Sequence, residues 1–213
     1  MLIQRFREFF SALHTSPEDS PSEETETVQL HRLDPLLFLN LFEALTRYDS
    51  ELANHLADRL GVSQEGLLEL ASESVMLGPG QLGEVLNALD HHPRYGDIMN
   101  LAGRNCYSMQ CVRDGELRRQ PLSLLARRIG QRLLPLLGDA SLEIDIKGRV
   151  LMLRITNSIF AEGRFSLNCL CGFYVGWLQQ LGHETGMRGL DAKESSCACQ
   201  DEDERSCLIQ VAT

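Results

Sequence analysis

The stretch SLEIDIKGRVLMLRITN, residues 141–157, alternates apolar and polar side chains on both sides of a turn at Lys147-Gly148. Leu142, Ile144 and Ile146 alternate with Glu143, Asp145 and Lys147, and Leu151, Leu153 and Ile155 repeat the pattern after the turn. A strand points successive side chains to opposite faces, so a period of two predicts a β-hairpin with one apolar face.

Working outward, the flanks are helical. A helix is expected over 94–111 and an arginine-bearing one over 119–137; in LRRQPLSLLARRIGQRLLP (117–135) Arg118, Arg119, Arg127, Arg128 and Arg132 punctuate a leucine-rich run. That run reads as an amphipathic helix with a solvated basic face. Downstream, SLNCLCGFYVGWLQQLG (166–182) reads as an apolar helix entering the core. Two short strands, about 187–194 and 207–212, should then flank a cysteine-rich loop. Helices, a hairpin, a helix and two more strands predict an α+β domain with a small antiparallel sheet packed with helices.

Residues 33–90 read as a helical N-terminal extension or subdomain before the domain of residues 91–213. Asp34-Pro35 opens one helix, Ser50 opens ELANHLADRL, Gly61 closes it, and Ser63 caps a third. GPGQLG at 78–83 is a breaker before a helix over 81–90. His91 and His92 have no cysteine or acid at ligand spacing and are expected to be loop residues. At the start, residues 1–14 read as a short amphipathic helix that could dock on its own domain, contact a protein partner or lie on a membrane surface. Residues 15–32, with SPEDSPSEETET, read as a disordered acidic linker.

An apolar fraction of 43% with 23% charged residues is that of an ordinary soluble protein. No apolar run approaches the roughly 18 residues of a membrane span. The N-terminus lacks a signal peptide's uninterrupted apolar segment, so a cytoplasmic location is expected. A formal net charge of −10 argues against nucleic-acid binding by the chain itself.

In a reducing compartment a cysteine cluster more often binds metal than forms disulfides. Five of the seven cysteines, Cys169, Cys171, Cys197, Cys199 and Cys207, lie near the C-terminus, three of them in ESSCACQDEDERSC (194–207). Glu194 and Cys197 form an E-x-x-C pair that can meet one ion across a tight turn. Cys207 returns from the far side of the acidic loop, and Cys171 starts the apolar helix. Three thiolates and a carboxylate make the closed tetrahedral set that a structural zinc takes. Cys169 and Cys199 compete for the assignment. A reactive cysteine group, or unrelated buried thiols, are the alternatives the residues leave open.

The spacing resembles the 4-vinyl-reductase domain family, also called the hydrocarbon-binding domain, whose fold is shared with subunits of the eukaryotic transport-particle tethering complex. The matching residues are Cys171, Gly176, Glu194, Cys197 and Cys207, and the likeness runs over about 140–213 and back to about 94. It implies a structural zinc on Cys171, Glu194, Cys197 and Cys207. The ten-residue step from Cys197 to Cys207 is longer than the family's usual eight or so, which makes Cys199 the second choice for a ligand. The resemblance also implies an apolar pocket for a hydrophobic, aromatic or tetrapyrrole ligand. Here it would be lined by Phe173, Tyr174, Trp177, Leu151, Leu153, Ile155 and Tyr107, and each of these could equally be plain core. A homodimer through the domain helices is expected on the same ground.

No dinucleotide fingerprint, phosphate loop or nucleophile elbow occurs in the sequence, and no catalytic residue is assigned. The expected role is therefore a zinc-stabilised small-molecule-binding sensor, carrier or regulatory module. The alternative is a 4-vinyl reductase or accessory protein of bacteriochlorophyll or other tetrapyrrole biosynthesis.

Overall fold

The computed structural model describes residues 35–61, 66, 79–110, 121–138, 140–161, 166, 168–187, 189–200 and 206–213. The expected helix over 1–14, the acidic linker over 15–32 and the helix expected to follow Ser63 lie outside these residues, apart from Gly66. The described elements are α1 (Pro35–Tyr48), α2 (Ser50–Leu60), α3 (Pro79–Asp90), α4 (Tyr95–Met109) and α5 (Leu122–Leu133), followed by a 3₁₀ turn over Leu134–Leu136. Then come β1 (Ser141–Lys147), β2 (Val150–Thr156), α6 (Gly172–Glu184), β3 (Asp191–Ser196) and β4 (Ser206–Ala212). The architecture is α+β with a small four-stranded antiparallel sheet, as the hairpin and its helical flanks imply.

The sheet order is β1-β2-β4-β3. Gly148 at φ +63 makes the hairpin turn, a left-handed conformation that costs glycine nothing sterically. The register pairs Leu142 with Ile155, Ile144 with Leu153 and Ile146 with Leu151, so the two apolar sets share a face. On β2 that face is fully buried, whereas edge strand β1 leaves Ile146 46% exposed. Next to β2, β4 sets Cys207 opposite Ile155, Ile209 opposite Leu153 and Val211 opposite Leu151. The buried sheet face thus continues across the central strands and ends, on one row, in a cysteine.

β3 starts at Asp191 and runs to Ser196, not over 187–194 as expected, because Leu190 N donates to Met187 O at 2.9 Å before the strand begins. Its pairing with β4 slips between Glu194 and Ser196. A bulge of this kind re-aims the side chains that follow it. At α2 the cap is Asp49, whose Oδ1 accepts from Leu52 N at 2.9 Å, and not Ser50. Gly61 closes that helix at φ +63 as expected, donating to Ala57 and Asp58 carbonyls.

α4 and α6 form the most extensive helix pair. Two glycines bring their backbones together. A Cβ on Gly103 would lie 1.9 Å from Phe173 O, and one on Gly176 would lie 2.0 Å from Asn100 O. α6 presents Phe173, Tyr174, Trp177, Leu178 and Leu181 to the interior, all fully buried. α1 packs on α4, and its Leu37, Phe38, Leu41 and Leu45 join the same core cluster as the sheet residues. α5 buries Leu125, Ile129 and Leu133 and keeps Arg127 exposed, the amphipathic division read from its sequence. Among the described residues no helix is long and apolar enough to cross a membrane.

Candidate metal centre

Three chain segments converge at one end of the sheet. Cys169 and Cys171 come from the turn that enters α6, with Cys171 at its N-cap. Glu194 stands on β3, on the row of Ile209, and the bulge after it turns the chain so that Cys197 and Cys199 enter the same space. Cys207 comes from the buried face of β4.

The sulfurs make a compact group. Cys171 Sγ lies 3.0 Å from Cys207 Sγ and 3.6 Å from Cys197 Sγ. Cys197 Sγ lies 3.7 Å from Cys207 Sγ and 3.1 Å from Cys199 Sγ. Cys169 Sγ and Glu194 Oε2 are hydrogen-bonded at 2.5 Å. The ligand atoms of Cys169, Cys171, Glu194 and Cys197 all lie within 4.8 Å of one another, so this cysteine/glutamate cluster could hold a metal ion. Of the four residues expected from spacing, Cys171, Glu194 and Cys197 belong to this group; Cys169, bonded directly by Glu194 Oε2, is its fourth member. Cys207 lies beside Cys171, and Cys199, the second choice, beside Cys197.

Glu194 Oε1 is buried and has no hydrogen-bond partner among the described residues. A buried oxygen without a donor costs about 1–3 kcal/mol, more if charged, unless something fills its lone pairs. Burial first, then the nearby Cys169 and Cys197 sulfurs, push this carboxyl up to about 11. Burial likewise holds the Cys171 thiol well above its ordinary range. At Cys197 the contact with Cys169 acts upward. The contacts with Cys171, Cys199 and Cys207 outweigh it and bring that thiol down to about 4. Contacts with Cys171 and Cys197 lower the Cys169 thiol as well, so without a cation the negative charge falls on these sulfurs while Glu194 and Cys171 keep their protons. A cation would replace those protons.

The surroundings hold the segments in place. Ser158 Oγ, itself buried, hydrogen-bonds Tyr174 OH at 2.9 Å and lies 3.9 Å from Cys171 Sγ. Ser166 N donates to Cys199 O at 2.8 Å. Ser166 Oγ bonds the Asp90 carboxylate, and Asn168 Nδ2 donates to Asp90 O at 2.5 Å. The last residue of α3 is thus tied to the cysteine loop. No sequence signal pointed to Asp90, Ser158 or Ser166. His92 pairs with Asp49 at 3.5 Å in the α3–α4 turn, away from the sulfurs.

The residues expected to line an apolar pocket are core residues in this structure. Leu151, Leu153, Ile155, Phe173, Tyr174 and Trp177 are 0% exposed and Tyr107 is 2% exposed. Tyr107 packs edge-on against Trp177, with ring centroids 5.1 Å apart. Trp177 Nε1 is buried without a hydrogen-bond partner among the described residues.

No protein-family model matches the chain, and no curated protein does. It is similar to solved structures of H-NOX proteins. One is an H-NOX protein from S. oneidensis in the Fe(II)NO ligation state, at 10% identity and TM-score 0.46, covering 84% of this chain and 98% of that one. Another is the Fe(II) unliganded H-NOX protein from K. algicida, at 13% identity and TM-score 0.45, covering 84% and 96%. At such identities and TM-scores the likeness says nothing about what this chain binds. The resemblance to the 4-vinyl-reductase domain is overturned: no family model supports it, and the structures found are H-NOX proteins. Its pattern consists of a few cysteines, a glycine and a glutamate, and a metal cluster and a tight helix crossing demand such residues in any fold.

Proposed function

We propose that the chain is a zinc-stabilised domain whose metal ties the β3–β4 end of the sheet to the start of α6, and that it serves as a small-molecule-binding sensor, carrier or regulatory module. The observation that carries the metal is Glu194 Oε1, a buried acceptor without a partner beside three thiols whose ligand atoms lie within 4.8 Å. Soft thiolates with one carboxylate suit zinc, which takes four such donors tetrahedrally at about 2.0–2.3 Å. Bound there, zinc would offset part of the cluster's charge and cross-link three segments, so its binding energy would be folding energy. Protein purified anaerobically from its own host should contain zinc. A content below about a tenth of an equivalent per chain overturns this reading.

A specific feature favours the small molecule: Trp177 Nε1 is a buried donor with no acceptor among the described residues. A hydrophobic ligand carrying one acceptor, seated between α6 and the sheet, would satisfy it and bind mainly through water exclusion. The close approach of α4 and α6 at Gly103 and Gly176 leaves no space for it between those helices. Trp177 is the only tryptophan, so its fluorescence should shift when hydrophobic aromatics are titrated. An aromatic panel that leaves both emission and melting temperature unmoved would remove the ligand from the proposal.

A further inference from the structure

The cluster holds more donors than one ion can use. Five thiols and a carboxylate converge, while a tetrahedral zinc takes four ligands. We propose that the centre is binuclear, with two thiophilic divalent ions sharing the Cys171 and Cys197 thiolates. This rests on reading the cluster as a metal centre.

The geometry divides the donors about one edge, the 3.6 Å line between Cys171 Sγ and Cys197 Sγ. Cys169 and Glu194 join these two sulfurs in a group within 4.8 Å, which is a complete set of three sulfurs and one oxygen. One further sulfur lies against both ends of this edge and another against its Cys197 end. Cys207 is 3.0 Å from Cys171 and 3.7 Å from Cys197, and Cys199 is 3.1 Å from Cys197. The second set would be Cys171, Cys197 and Cys207, whose sulfurs lie within 3.7 Å of one another, completed by Cys199 from beside Cys197.

The ligand count closes. Two four-coordinate ions require eight ligand positions, and six donors supply eight when two of them bridge. With metal–sulfur bonds of about 2.3 Å, the edge of a tetrahedron is about 3.8 Å. The Cys171–Cys197 separation is close to that length. Charge points the same way. Fully ionised, the six donors carry six negative charges. One divalent ion leaves either a large uncompensated charge in a buried site or several thiols that keep their protons. Two ions reduce the residual from four negative charges to two, which lowers the cost of burying them.

Cadmium is the probe, because its thiolate bonds absorb in the ultraviolet and ¹¹³Cd reports each site by resonance. Anaerobic metal-free protein titrated with Cd²⁺ should give a charge-transfer band that grows to two equivalents, with two ions by native mass spectrometry. The ¹¹³Cd spectrum should show two resonances split by each other through shared sulfur. Cys199→Ser removes a donor of the all-sulfur set only and should stop at one equivalent. Glu194→Gln should lower the affinity of the other ion while its partner's resonance persists. Saturation of the wild type at one equivalent overturns the binuclear centre and leaves the single zinc intact. Two resonances without mutual splitting overturn the sharing of Cys171 and Cys197. No thiolate-bound cadmium at all overturns both this inference and the metal centre it rests on.

Discussion

Adding one methyl group at Gly176 should be among the most damaging small changes the fold can suffer. The new Cβ would sit 2.0 Å from Asn100 O and 2.7 Å from Asn100 C, backbone atoms that cannot rotate away. An ordinary contact needs about 3.5 Å, so α4 and α6 must part by roughly 1.5 Å at the crossing. A gap of even 0.5–1 Å forfeits about a quarter to a half of each contact's attraction, and this is the most extensive helix pair. Overpacking costs about 1–3 kcal/mol where neighbours can give; here we expect about 3 kcal/mol or more, after the roughly 1 kcal/mol that alanine gains in helix propensity. Gly103→Ala meets Phe173 O at 1.9 Å across the same interface. One separation relieves both clashes, so Gly103→Ala/Gly176→Ala should cost less than the sum of its parts by about 0.5–3 kcal/mol. Gly130→Ala is the control, since nothing lies within 4 Å of its Cβ, and it should stabilise by about 0.5–1 kcal/mol. Urea unfolding of the wild type and the four variants decides the matter. Gly176→Ala within about 0.5 kcal/mol of wild type, or strict additivity in the double variant, would refute the backbone-contact reasoning.

Chelation of the metal should selectively loosen the end of the sheet, so amide exchange should rise across residues 206–212 before it rises in α4; uniform exchange across both would contradict a cross-linking role. In metal-free protein, Cys197 at about 4 lies below the roughly 8.5 of an unfolded thiol. Its contribution is present above the unfolded value and is lost as pH falls through the folded one. The stability gap between wild type and Cys197→Ala should therefore widen from pH 5 to 8, and a constant gap in chelator-treated melts would refute the assignment of the charge to that sulfur. Leu153→Ala, at a fully buried position, should cost about 2–5 kcal/mol. Ile146→Ala, on the same face but 46% exposed at the edge, should cost well under half of that in the same denaturation assay.

The hairpin was legible because its signal is local: a strict period of two and a glycine turn suffice to place Leu151, Leu153 and Ile155 on the buried face. The long amphipathic helices were legible for the same reason, with boundaries off by a few residues where 3₁₀ turns and adjacent capping residues compete, as at Asp49 and Ser50. Gly176 stood out in the sequence, but only the fold shows its reason, because the atom it makes room for, Asn100 O, belongs to a helix read separately.

The cysteine cluster was legible as a cluster but not as a geometry. Spacing along the chain could rank Cys169 and Cys199 as spare, yet which sulfurs meet is decided by three events that leave no mark in a spacing pattern. The turn into α6 brings Cys169 to Glu194, the β3 bulge brings Cys197 and Cys199 inward, and the β2–β4 register puts Cys207 on the buried face. Each event is a consequence of pairing between distant segments, and pairing selects one arrangement from several that the same residues allow. Counting donors in sequence invites a choice of four ligands. Counting them in space finds four in one group, Cys207 against two of its sulfurs and Cys199 against one, and the excess over four is what a single-ion reading leaves unused.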